Sequence, residues 1–110
     1  MNNFNQTEAL PEPWYWTDQN LNDQLASELS PGHILYGKKV RTLARREDND
    51  DVLFNVMNAE FTFAVVHLTW SENTDEGGKW PIVEIYNNWN QLYENRIQID
   101  HENYNIFNEA

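Results

Sequence analysis

Apolar residues in the first third of the chain recur at the spacing of a helix. Four of them fall on one helical face: Leu21, Leu25, Ala26 and Leu29. Thr17 or Asp18 can cap the start of this helix with a side-chain oxygen, and Pro31-Gly32 ends it. The pattern therefore predicts a helix over about residues 18–30.

After this helix, apolar residues alternate with polar ones, which is the period of a β-strand. We expect three strands, over residues 34–47, 52–57 and 60–71. Short connections at Glu47–Asp51 and at Asn58-Ala59 join them, because Asn and Asp favour tight turns. Three strands joined in this way form an antiparallel meander.

The last third of the chain adds a short strand and a second helix. Residues 82–86 predict a fourth strand at the edge of the sheet. Asn87 or Asn88 then caps a helix whose apolar face includes Trp89 and Leu92. The order of elements predicts an α+β fold, a two-layer sandwich in which an antiparallel three- to four-stranded meander carries an N-terminal and a C-terminal helix.

The length of 110 residues is typical of one domain, which we expect at residues 14–110 after a flexible N-terminal arm at residues 1–13. The aromatic run Trp14-Tyr15-Trp16 is expected to anchor this arm to the domain. The chain has no cysteine, which excludes disulfides and thiolate metal sites and fits a reducing compartment. It shows neither a basic, apolar leader nor an apolar run of roughly 18 residues, so we expect a cytoplasmic protein without a membrane span.

The formal net charge is −11, and 14% of the residues are aromatic. The aromatic content excludes a disordered chain. The negative charge disfavours nucleic acid and anionic membranes as partners, since binding to phosphate requires Lys and Arg. Basic partners are favoured instead, although the same charge also serves solubility alone.

The predicted sheet is apolar on both faces. Two-residue turns place Phe54 opposite Phe63, and one face then carries four large apolar side chains: Phe54, Phe61, Phe63 and Val65. We place the helices on the other face, whose smaller residues let them approach closely. Because two helices rarely cover both faces of a sheet, the Phe-bearing face needs another cover: the N-terminal arm, a second copy of the chain, or a foreign protein.

His67 lies on the same predicted face and is the candidate catalytic residue, because a histidine can accept or donate a proton near neutral pH. Acid–base chemistry needs an orienting carboxylate, and the predicted register places no Asp or Glu on this face. A histidine enclosed in the core is therefore the favoured interpretation. No local spacing of His, Asp or Glu is typical of a metal site, and no phosphate loop or dinucleotide fingerprint is present, so neither metal nor cofactor is expected.

A basic strand stands out in this acidic chain. Five of the seven cationic residues fall within nine positions: Lys38, Lys39, Arg41, Arg45 and Arg46. On a strand, Arg41 and Arg45 share the predicted face of His67 and would form an anion site there. The favoured alternative is a strand guarded against aggregation by its charge, with the arginines paired to nearby carboxylates.

Four segments carry a resemblance to a known group of proteins: Leu35-Tyr36-Gly37, Ala44-Arg45-Arg46, residues 50–54 and residues 64–70. In these segments the chain resembles a group of small bacterial proteins of uncharacterised function, over roughly residues 32–100. The resemblance implies no activity and assigns no catalytic residue.

Two functions of different class follow from these patterns. The first is a small protein-interaction module that binds itself or another protein through the Phe-bearing face, for example an inhibitor of a basic toxin that resembles immunity proteins. The second is a small enzyme or ligand-binding protein with a pocket built on His67, Arg41 and Arg45. We favour the first, and a non-enzymatic role, because His67 lacks a carboxylate partner in the predicted register.

Overall fold

The computed structural model describes residues 8–71 and 77–108, with side chains in the last helix described up to residue 104. The described residues form five strands: β1 Trp14–Trp16, β2 Val40–Arg46, β3 Asp51–Val56, β4 Phe63–His67 and β5 Ile82–Tyr86. They also form three α-helices: α1 Asn22–Glu28, α2 Trp89–Leu92 and α3 Gln98–Asn108. A π-helical turn at Tyr93–Ile97 joins α2 to α3 without a break.

The five strands form one antiparallel sheet in the order β1-β2-β3-β4-β5, so each strand pairs with its neighbours in sequence. The predicted α+β class and the antiparallel meander are confirmed, and β5 covers the residues of the predicted fourth strand. The aromatic run that was expected only as an anchor forms an additional strand, β1. Helix α3 extends to Asn108.

Each face of the sheet is covered by a helix of the chain itself. Alternation in β3 directs Val52 and Phe54 to one face and Leu53 to the other. The first face packs against Leu25 of α1. The second packs against Leu92 and Ile97 of the C-terminal helical segment, which consists of α2, the π-helical turn and α3. This arrangement differs from the prediction that both helices share one face.

The register of the β3–β4 hairpin is shifted by one residue from the prediction. Phe54 lies opposite Ala64 rather than Phe63. The strands are joined by the six residues 57–62, so the predicted two-residue turn is wrong. Because successive residues of a strand point to opposite faces, this shift moves every side chain of β4 to the other side of the sheet.

The four residues predicted to form one apolar binding face are divided between the two cores. Phe54 and Phe61 belong to the core beneath α1, whereas Phe63 and Val65 belong to the core beneath the C-terminal helical segment. None of the four is more than 8% exposed. Both sheet faces are apolar, as predicted, but the helices cover them, and no outside partner is needed to hide the Phe side chains.

Trp14 ties the N-terminal segment to the rest of the domain. Its ring is buried, and its Nε1 donates a hydrogen bond to the Asp100 carboxylate of α3 at 2.8 Å. Pro13, directly before it, is also fully buried. Residues 8–13 of the predicted arm therefore pack against the domain, and residues 1–7 lie outside the described range.

A buried histidine joins two loops. The Nδ1 atom of His33 accepts a hydrogen bond from the backbone N–H of Leu35 at 3.0 Å, so the ring carries its proton on Nε2. That Nε2 donates to the carbonyl of Pro81 at 2.8 Å. Gly78 lies against the same turn with a φ of +74°, and a Cβ there would come within 2.6 Å of the Gly32 carbonyl group. Glycine, which has no Cβ, fits both the positive φ and the close approach of the two backbones.

We expect Gly78→Ala to reduce the free energy of unfolding more than Gly37→Ala does. Both glycines have a positive φ, which strains an alanine by about 1 kcal/mol. A Cβ on Gly37 meets nothing within 4 Å, whereas a Cβ on Gly78 collides with backbone, which adds about 2 kcal/mol. Urea unfolding of the two variants measures the difference, and equal losses would contradict the close contact between the two loops.

Candidate functional site

A pocket of about 290 Å³ opens between the sheet and the π-helical turn. Six residues line it: Asp51, Val65, His67, Ile82, Glu84 and Arg96. The register places Asp51 opposite His67 and His67 opposite Ile82, so β3, β4 and β5 each contribute one residue to a row. Arg96 reaches the same pocket from the π-helical turn.

His67 is paired with a carboxylate. Its Nδ1 lies 2.7 Å from Oδ1 of Asp51, with the histidine side chain 50% exposed and the aspartate only 10% exposed. A carboxylate only accepts hydrogen bonds, so Nδ1 carries a proton, and in the uncharged form of an imidazole with that tautomer Nε2 is an acceptor. The predictions that no carboxylate shares the face of His67 and that its ring is enclosed in the core are both wrong, because the β3–β4 register differs from the predicted one.

Arg96 is the centre of the charged groups around this pocket. Its guanidinium donates to Oδ2 of Asp51, to Oε1 of Glu84 at 2.6 Å and to Oδ2 of Asp100 at 2.9 Å. Burial opposes the positive charge, but the attraction of Asp100, Asp51 and Glu84 outweighs it and raises the pKa of Arg96 above its usual value. One cation thus holds carboxylates from β3, β5 and α3.

Asp100 extends these contacts towards β2. Besides Arg96 and the indole of Trp14, its Oδ2 atom has Arg46 Nη1 at 3.2 Å. Arg46 in turn forms a two-point contact with Asp48, with distances of 2.8 and 2.7 Å. The hydrogen bond from Arg46 lowers the pKa of the Asp48 carboxyl. The result is a chain of alternating charges from the pocket to the β2–β3 turn.

Glu84 keeps one carboxylate oxygen available at the mouth of the pocket. Its Oε1 accepts from Arg96 and from the hydroxyl of Tyr86 at 3.0 Å, and burial together with this bond raises the pKa of Tyr86 to about 12. No described residue donates to Oε2, and the side chain is 53% exposed. Glu84 can therefore accept a hydrogen bond from a bound molecule.

Arg41 and Arg45 do not join His67 in this pocket, so the predicted three-residue pocket is not formed. Arg45 donates from Nη1 to Gln19 at 2.7 Å and lies 5.9 Å from the ring centre of Trp70. Arg41 lines a separate polar cavity of about 250 Å³ beside residues 17–20. Arg96, which is not among the predicted site residues, takes their place next to His67.

One local signal for the missed cation exists in the sequence. Arg96 and Asp100 are four residues apart, which is the spacing of an ion pair on a helix. Asp51 and Glu84 carry no such signal, because they meet Arg96 only through the pairing of three strands.

Within residues 8–71 and 77–108, no three His, Asp or Glu side chains are grouped so as to hold a metal ion. In the same ranges, no helix combines the length and the apolar character that crossing a membrane requires. Protein-family models, curated proteins and solved structures gave no match to this chain.

We expect Arg96→Gln to reduce the free energy of unfolding by about 3–5 kcal/mol, because it leaves the largely buried carboxylates of Asp51 and Asp100 without their cation. Lys39→Gln, which removes an exposed cation, is the control and should change little. Chemical unfolding of both variants gives the comparison.

The same experiment separates charge from packing. If unpaired carboxylates cause the loss, adding Asp51→Asn to Arg96→Gln should recover part of the stability. A double variant that is weaker by the full sum of the two single losses would show that the ion pairs do not couple these residues.

Proposed function

We propose that this protein is a small protein-interaction module that takes a cationic side chain of its partner into the pocket beside His67. The observation that carries the proposal is a pair of acceptors at this pocket to which none of the described residues donates, Oε2 of Glu84 and Nε2 of His67. A lysine ammonium or an arginine guanidinium is a donor only and matches two acceptors.

The charge around the pocket supports a cationic ligand. Two guanidiniums, those of Arg96 and Arg46, are paired with four carboxylates, which leaves an excess of negative charge: Asp51, Glu84, Asp100 and Asp48. An anionic ligand would compete with these carboxylates for a cation whose donors they already occupy. The net charge of −11 on the whole chain adds long-range attraction for a basic partner.

The apolar part of the pocket supports a long side chain. Val65 and Ile82 line it beside the charged residues. Lysine and arginine place their aliphatic stems on apolar surface while their charged ends reach polar groups. The pocket thus combines an apolar wall with a charged end, which suits these two residue types better than a small inorganic cation.

We expect a blocked seven-residue peptide of alternating valine and lysine to bind, and the same peptide with glutamate in place of lysine not to bind. Glu84→Gln should weaken the lysine peptide by about 3- to 10-fold, because it removes a charged acceptor. Glu60→Gln, which removes the same charge from the β3–β4 loop, is the matched control and should change affinity by less than about twofold. Chemical-shift titration of the labelled protein measures these constants.

The outcome that would contradict the proposal is equal weakening by Glu84→Gln and Glu60→Gln. Equal effects would mean that the net charge of the chain, and not the pocket, attracts the peptide. Shift changes confined to residues outside β3, β4 and β5 would contradict it as well.

The contact between His67 and Asp51 favours a second candidate function, in which Nε2 of His67 removes a proton from a bound molecule. No Ser, Thr, Cys or Lys is among the six lining residues, so the nucleophile that loses its proton to His67 would be a hydroxyl of the ligand itself or a water molecule. Mass spectrometry of the lysine peptide and of its ester after incubation tests this candidate. Conversion that His67→Gln abolishes and His101→Gln leaves intact would establish it, and no conversion would exclude it for these substrates.

A further inference from the structure

Strand β5 forms one edge of the sheet and differs from the opposite edge. In the described sheet β5 pairs only with β4, along five residues in continuous register. The opposite edge, β1, is three residues long and follows the packed segment at residues 8–13. Of the two edge strands in the described sheet, the longer is therefore the one beside the pocket.

β5 lacks the features that usually protect an edge strand from pairing with other chains. Such edges commonly carry lysine, proline or a bulge. Within Ile82–Tyr86 there is no lysine, no proline and no break in register. Instead Ile82 and Ile85, 42% and 43% exposed, lie on opposite faces of the strand, and its single charge is Glu84.

We propose that β5 accepts an extended segment of the protein partner as a sixth, added strand, and that this segment alternates basic with apolar residues. The proposal rests on the proposed function and names the form of the partner. Main-chain hydrogen bonds to the edge would supply affinity, and side chains on alternate positions would supply specificity. The occupant is a foreign polypeptide rather than a second copy of this chain.

The pattern of the added strand follows from the faces of β5. Glu84 and Ile82 share the face that carries the pocket, so a basic residue directly across from Glu84 lies within about 5 Å of it and can reach the pocket. The other face carries Ile85 beside the partly buried Val83. Residues of the added strand on that side are expected to be apolar.

Charge argues against pairing between two copies. An antiparallel pair of β5 strands that uses all five residues places Glu84 opposite its own copy, and like charges directly across a sheet are destabilising. Each copy also carries a net charge of −11. With a basic strand as the partner, both the contact at Glu84 and the long-range interaction are attractive.

Two N-methylated forms of the valine–lysine peptide test the added strand. Alternate residues of a strand direct their N–H groups to the same side, so methyl groups on the valines block one edge of the peptide and methyl groups on the lysines block the other. Strand addition predicts that one form loses at least about tenfold in affinity while the other stays within about threefold of the unmethylated peptide.

The outcomes separate this inference from the function on which it rests. If the unmethylated peptide binds and neither methylated form is weakened, the added strand is wrong and the pocket proposal stands. If both forms are weakened equally, the single-edge geometry is wrong. If the unmethylated peptide does not bind, the proposed function itself fails.

A variant of the protein gives an independent readout. Ile85→Lys places a like charge on the edge against a basic strand and should weaken the peptide by at least about fivefold. Met57→Lys, at an exposed apolar residue of the β3–β4 loop, adds the same charge elsewhere and should weaken it by less than about twofold. Sedimentation of the unmodified protein completes the test, since a dimer that Ile85→Lys dissociates would assign the edge to a second copy and overturn the inference.

Discussion

The guanidinium of Arg96 fixes the sheet to the C-terminal helical segment. It contacts Asp51 of β3, Glu84 of β5 and Asp100 of α3, three elements that are distant in sequence. Taking these charges partly out of water is costly, and the cost is offset only while all partners remain in place. Asp51 is therefore held where it can orient His67, and the pocket exists because this ion cluster is complete.

Covering both faces of the sheet determines where another molecule can bind. α1 covers one apolar face and the C-terminal helical segment covers the other, with Trp14 inserted beside the latter. The large apolar side chains of β3 and β4 are buried inside the molecule, whereas Ile82 and Ile85 of β5 stay partly exposed. The accessible part of the described sheet is its edge strand β5, and the charged pocket opens beside this strand.

The apolar pattern predicted most of the elements but not their register. The α+β class, the meander, β5 and the cap at Asn88, which accepts from the backbone of Gln91, all follow from local spacing. A bulge between Thr42 and Ala44 and the six-residue β3–β4 connection do not, because no residue type in those stretches marks an extra position.

The candidate site was harder to predict than the fold for the same reason. His67 lines the pocket, and its neighbours there depend on which residues of β3 and β5 lie across from it. A shift of one position replaced an apolar environment by Asp51 and Glu84. Arg96 belongs to a helix whose facing cannot be read from spacing alone, since its turn is not α-helical.

That π-helical turn explains how one helical segment both packs on the apolar sheet and places Arg96 in the ion cluster. Leu92 and Ile97 are five residues apart and both fully buried in the same core, although five residues of an α-helix would rotate them about 140° out of line. The wider turn brings them back onto one side. The π-helical turn therefore changes the rotational phase of the helix. Leu92 and Ile97 both face the apolar sheet, while Arg96 is aligned with Asp100 one turn further on.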